Sequence, residues 1–180
     1  MAEQTPARIW TMRAMFVLIA LAILFFRLLP LHTLPRGWAG PDLFLAVVAA
    51  WSLRRRRAVP VWLVAALALL GDLLLQRPPG LWAAMTVVAS EWFKAHSRQL
   101  RDQTFVTEWI TVGTVLVAMA VGYSLALALT VTQGPPLGLF TMQIVATWAV
   151  YPLVVGISNV VFGIRKPQPG DLESLGRQGT

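Results

Sequence analysis

Four acids stand in or beside the long apolar runs of this chain: Asp42, Asp72, Glu91 and Glu108. A charged side chain at the centre of a membrane helix costs about 2.5–3.5 kcal/mol on insertion scales, so each needs something to satisfy it, and Asp72 is a candidate ion or proton site. Asp72 is the most demanding. It sits in Gly71-Asp72-Leu73-Leu74-Leu75, with residues 59–71 uncharged before it and residues 81–90 uncharged after it. No base lies three or four residues away on its own helix. Its cationic candidates are Arg77, across the turn at Pro78-Pro79-Gly80, and Arg27 or Arg36 from other segments. Two readings follow: an interhelical ion pair that locks a bundle, or a contact to a ligand or partner.

The other acids have local explanations. Asp42 follows Pro41 at the head of an apolar run, where free N–H groups and the helix dipole favour an acid. Glu108 falls in a first helical turn behind the possible caps Asp102 and Thr104, and gains likewise. Glu91 lies near a helix C-terminus, where the dipole opposes it, but Lys94 three residues on shares its face and predicts a local ion pair. The run Arg54-Arg55-Arg56-Arg57 reads as a topology anchor that also binds anionic lipid headgroups, or as a docking site for a cytoplasmic protein.

Enzymatic chemistry finds little to work with. His32 and His96 have no second ligand at metal-binding spacing and no Ser–Asp arrangement beside them, and cysteine is absent. There is no Gly-rich phosphate loop and no carboxylate cluster for a divalent cation. The sequence therefore predicts no catalytic residue, no metal and no cofactor.

The elements that must position these acids are membrane helices. Hydrophobic residues make up 57% of the 180 and charged residues 13%, with mean hydropathy +0.65, against about 25% charged in a soluble domain. The expectation is an all-α polytopic bundle of six transmembrane helices, at 10–29, 41–53, 59–75, 80–95, 106–131 and 137–164. Together they form one domain over residues 1–165, and a polar, disordered tail follows at 166–180. The second and fourth spans are short and must recruit flanking polar residues or lie partly re-entrant. The turn-forming cluster Thr132-Gln133-Gly134-Pro135-Pro136 separates the last two. With the N-terminus inside, every Lys and Arg except Arg27, Arg36 and Arg77 falls on the cytoplasmic side, which places both termini there. The net charge of +7 thus serves orientation, and no nucleic-acid partner is expected. The first run lacks a small-residue cleavage site and reads as a retained helix. Small residues at Ala118, Gly122 and Ala126, and at Gly156 and Gly163, predict close helix approach; Asn159 offers an interhelical hydrogen bond and Pro152 a kink.

Several short motifs resemble one family. Pro41-Asp42-Leu43, Gly71-Asp72-Leu73-Leu74 and Pro79-Gly80-Leu81 are similar to MreD, the bacterial rod-shape-determining membrane protein. Leu100-Arg101-Asp102-Gln103-Thr104-Phe105 with Glu108-Trp109 resembles its α-proteobacterial type. The resemblance implies a non-enzymatic inner-membrane subunit of the cell-elongation machinery that helps maintain cell shape and lateral peptidoglycan synthesis. It implies an MreC-like single-span partner and, through it, MreB, RodA and its transpeptidase partner, besides membrane lipids. It also implies a fold similar to the substrate-binding subunits of energy-coupling-factor transporters. Carried over, Pro41, Asp42, Gly71, Asp72, Pro79, Gly80 and Glu91 shape the bundle and its partner surface and have no catalytic role; Arg77 and Glu108 join them as candidates on position. The rival reading is a vitamin-type substrate-binding subunit of a transporter. Ala14, Ala20 and Ala22 do not make the Ala-x-x-x-Ala spacing such a subunit uses for docking.

Overall fold

Helices of two lengths build the protein. The structure, a computed structural model, describes residues 6–29, 39–101, 103–130 and 135–162. Three helices are long: α1 (Pro6–Leu28, 23 residues), α5 (Phe105–Leu129, 25) and α6 (Leu137–Phe162, 26). Three are short: α2 (Leu43–Arg54, 12), α3 (Val61–Leu74, 14) and α4 (Leu81–His96, 16). At 1.5 Å per residue the long set reaches about 35–39 Å and the short set about 18–24 Å, against a hydrocarbon core of about 30 Å. The six expected helices are present, but among the described residues only α1, α5 and α6 are long and apolar enough to cross a membrane. The short ones are cut by identifiable residues. Asp42 caps the start of α2, Pro60 the start of α3, and Gly80, at φ 87°, the start of α4. A 3-10 turn at Gln99–Arg101 leads towards α5.

Helix α2 is the centre. Every residue from Phe44 to Leu53 is buried, and Trp51 is wholly enclosed, its ring 5.5 Å from that of Phe16. A helix apolar on all faces belongs where protein surrounds it. The other helices form an arc around it in the order α1–α3–α4–α5–α6, with α2 packing chiefly on α6, α4 and α1. In lipid the gain from such packing is dispersion and hydrogen bonding, because leaving α2 in hydrocarbon would cost little solvation.

The small residues have unequal roles. A Cβ at Gly71 would meet Leu24 of α1, and one at Gly122 would meet Met85 of α4, each at 3.4 Å. That is an ordinary contact distance, so both glycines lie at helix contacts without being required for them. Gly156, expected to draw helices together, faces outward with nothing within 4 Å of a would-be Cβ. Helix α6 runs unbroken through Pro152. His32, Arg36, Asp102, Gly163, most of the 132–136 turn and the tail at 166–180 lie outside the described residues.

Candidate functional site

The buried acids gather at two ends of the bundle. At one end Asp42 does what its position predicts and more. Its carboxylate accepts the Leu45 N–H at 3.3 Å, capping α2. Its own N–H donates to Thr147 Oγ1 at 2.7 Å, and that hydroxyl donates to the Gln143 carbonyl at 2.6 Å, tying the start of α2 to α6. Two guanidiniums then converge on the same oxygen, Asp42 Oδ2: Arg27 at 3.2 Å and Arg77 at 3.7 Å. Arg77 also lies over the Trp82 ring, 5.4 Å from its centroid.

Asp72 therefore does not hold the arginines expected of it. Its Oδ2 accepts the Gly80 N–H at 3.1 Å and the Ala83 N–H at 2.9 Å, capping the first turn of α4 from the last turn of α3. The dipole at the end of α3 opposes this carboxylate, but the turn folds the N-terminus of α4 onto it, where free N–H groups favour it. That turn depends on Gln76 at φ 53° and Gly80 at φ 87°, and closes with the Arg77 N–H donating to the Asp72 carbonyl at 3.0 Å. Pro79 sits in the same turn and supplies its fixed φ. The reading of Asp72 as an interhelical ion pair is corrected: it is a helix cap that staples α3 to α4.

At the other end Glu108 is fully buried, and Arg54 Nη2 stands 2.6 Å from its Oε1. The Tyr151 hydroxyl donates to the same Oε1 at 2.6 Å, and Arg54 Nη1 donates to the Tyr151 oxygen at 3.3 Å. Helices α2, α5 and α6 thus meet in one charged triad. Glu108 occupies the first turn of α5, as the sequence predicts, but Arg54 and Tyr151 supply its counter-charge and hydrogen bond. Arg54 leaves the surface anchor assigned to it, because its side chain is only 3% exposed. Arg55 is half-buried, and burial together with nearby Arg8 holds its guanidinium below the ordinary value. Arg56 and Arg57 alone keep the exposed, basic character expected of the whole run.

Beside this triad lies a clasp that sequence reasoning missed. The Trp109 and Trp148 rings stack at 4.6 Å with planes 16° apart. Each indole N–H donates to the other residue's carbonyl, at 2.9 and 3.0 Å. Two residues make room. Pro152 has no N–H to give the carbonyl four residues before it, so the Trp148 carbonyl is left for Trp109. Gly113 has no Cβ, which would stand 2.6 Å from Trp148 Nε1. The signal was present as two four-residue spacings, Trp109–Gly113 and Trp148–Pro152, each meaningful only once the helices are set side by side.

Glu91 pairs with Lys94 at 2.5 Å on an exposed face, at the predicted spacing. His96 stacks on Trp92 at 4.1 Å, its Nδ1 2.9 Å from the Trp92 carbonyl. Among the described residues no three His, Asp or Glu side chains gather as a metal site.

Fold and site together define an all-helical membrane protein whose buried acids serve as joints between helices. No family model matches the chain, and neither does any curated protein or solved structure.

Proposed function

We propose that this chain is an MreD-type subunit of the bacterial cell-elongation complex. In this reading it is a non-enzymatic, six-span protein of the inner membrane with both termini in the cytoplasm, built like the substrate-binding subunits of energy-coupling-factor transporters. It binds an MreC-like single-span protein and is linked through it to MreB, RodA and the associated transpeptidase. The short motifs around Asp42, Asp72 and Gly80 support the reading, together with the basic residues concentrated on one side. One structural observation carries it furthest: these motif residues act as joints. Asp42 ties α2 to α6, and Asp72 with Gly80 staples α3 to α4. Residues spent on internal geometry suit a protein whose task is to present a shaped surface to partners.

Depletion in the host should round the cells, and an MreC-like protein should co-purify with the tagged chain in mild detergent. If neither happens and a small organic ligand raises the thermal midpoint, the vitamin-type transporter subunit takes its place.

A further inference from the structure

The Asp42 end contains a cavity walled in part by the joints described above. It measures about 420 Å³ and opens between the α3–α4 turn and the α5–α6 pair, lined by Gln76, Arg77, Trp82, Tyr123, Phe140 and Gln143. Its polar groups are matched unevenly. Arg27 and Arg77 compete for a single carboxylate oxygen, and Arg77 is the looser of the two, at 3.7 Å, beyond hydrogen-bond distance. The other nearby acid, Asp72, has turned its Oδ2 to the α4 amides, and its Oδ1 is buried with no hydrogen-bond partner. Gln143 Nε2 is buried and donates to nothing. A guanidinium outside hydrogen-bond distance of Asp42 and an unused amide donor thus line the same cavity.

The remaining wall is aromatic and braced. Trp82 meets Tyr123 edge-on at 5.2 Å and Phe140 at 5.9 Å, while Tyr123 and Phe140 lie 5.5 Å apart. The volume lies within the range of small-molecule sites, about 300–1,000 Å³, and exceeds what a bare inorganic anion fills.

We propose that this cavity binds the phosphate group of an amphiphile, with Arg77 and Gln143 donating to its oxygens and the Trp82–Tyr123–Phe140 wall covering its apolar part. Both a lipid headgroup and a soluble organic phosphate present this chemistry. The inference does not rest on the cell-elongation reading, and either stands if the other fails.

The test is native mass spectrometry of the full chain released from nanodiscs holding dioleoylphosphatidylglycerol or, as a phosphate-free control, added dioleoylglycerol. Phosphatidylglycerol should be retained preferentially. Retention should fall about tenfold in Arg77→Gln, the worth of one charge-assisted hydrogen bond, and about threefold in Gln143→Leu. Displacement of the lipid by glycerol 3-phosphate supports the phosphate site and assigns it to a soluble ligand; failure to displace supports the site and assigns it to lipid. Equal retention of the two lipids overturns the proposal. So does wild-type retention in Gln143→Leu protein that unfolds at the wild-type temperature, a variant that leaves the Asp42 ion pairs in place.

Discussion

At the Glu108 end one arginine meets one carboxylate at 2.6 Å, and a tyrosine hydroxyl closes the pair out of reach of solvent and lipid. At the Asp42 end two arginines reach for one carboxylate oxygen at 3.2 and 3.7 Å, and both side chains stay more than a fifth exposed. Among the described residues the first arrangement joins one guanidinium to one carboxylate with a shared tyrosine hydroxyl. The second holds its two arginines at longer range beside a cavity, with Asp72 as a second acid close by, so its contacts are the looser ones. One protein thus uses buried charge as a lock at one end and as an adaptable contact at the other. The difference is set by how tightly each acid is held and how far it is buried.

That contrast can be broken most forcefully at the lock. Glu108→Gln keeps the shape but leaves Arg54 buried without a counter-charge, and should destabilise the fold by about 3–5 kcal/mol in detergent unfolding titrations. The double variant Arg54→Leu with Glu108→Leu should recover most of that loss, because an apolar pair needs no compensation. A double variant as unstable as the single one would mean that the triad is held for some other reason. Next in size is Gly113→Ala, which drives a methyl into Trp148. A cost of about 1–3 kcal/mol is expected, with loss of the near-UV circular dichroism of the stacked Trp109–Trp148 pair. An unchanged spectrum would show that the rings tolerate separation. The smallest effect should come from the adaptable end. Asp72→Ala removes a cap and should cost about 0.5–2 kcal/mol, whereas Asp72→Asn retains an acceptor oxygen and should cost less. If Asp72→Asn proves as damaging as Glu108→Gln, charge at this end matters more than capping and the contrast fails.

What could be read from the residues alone was whatever depends on near neighbours. The Glu91–Lys94 pair and the role of Asp42 as a cap need only three-residue spacings. Six apolar segments and their breaks follow from Pro, Gly and charge. The partners of Glu108 lie 54 and 43 positions away, at Arg54 and Tyr151, and no local pattern selects them from the other basic and polar residues. Asp72 is the instructive case, since its partners are only eight and eleven positions on. The turn was visible in Pro78-Pro79-Gly80, but its hand was not. Only with Gln76 and Gly80 at positive φ does the start of α4 fold back under the carboxylate. The central place of α2 was equally hidden, because a helix that is apolar all round reads alike in protein and in lipid.

The exchange of bonds around Pro152 has a mechanical meaning. A proline in mid-helix ordinarily marks a weak point, yet here the freed carbonyl is spent on the neighbouring helix, and the neighbour returns a bond of its own. Two reciprocal bonds running in opposite directions across a stacked ring pair oppose sliding both up and down. The two longest helices therefore behave as a single plank. When the surrounding bilayer thins or thickens, α5 and α6 must tilt together, carrying Glu108 and Tyr151 with them as one hinge-free unit.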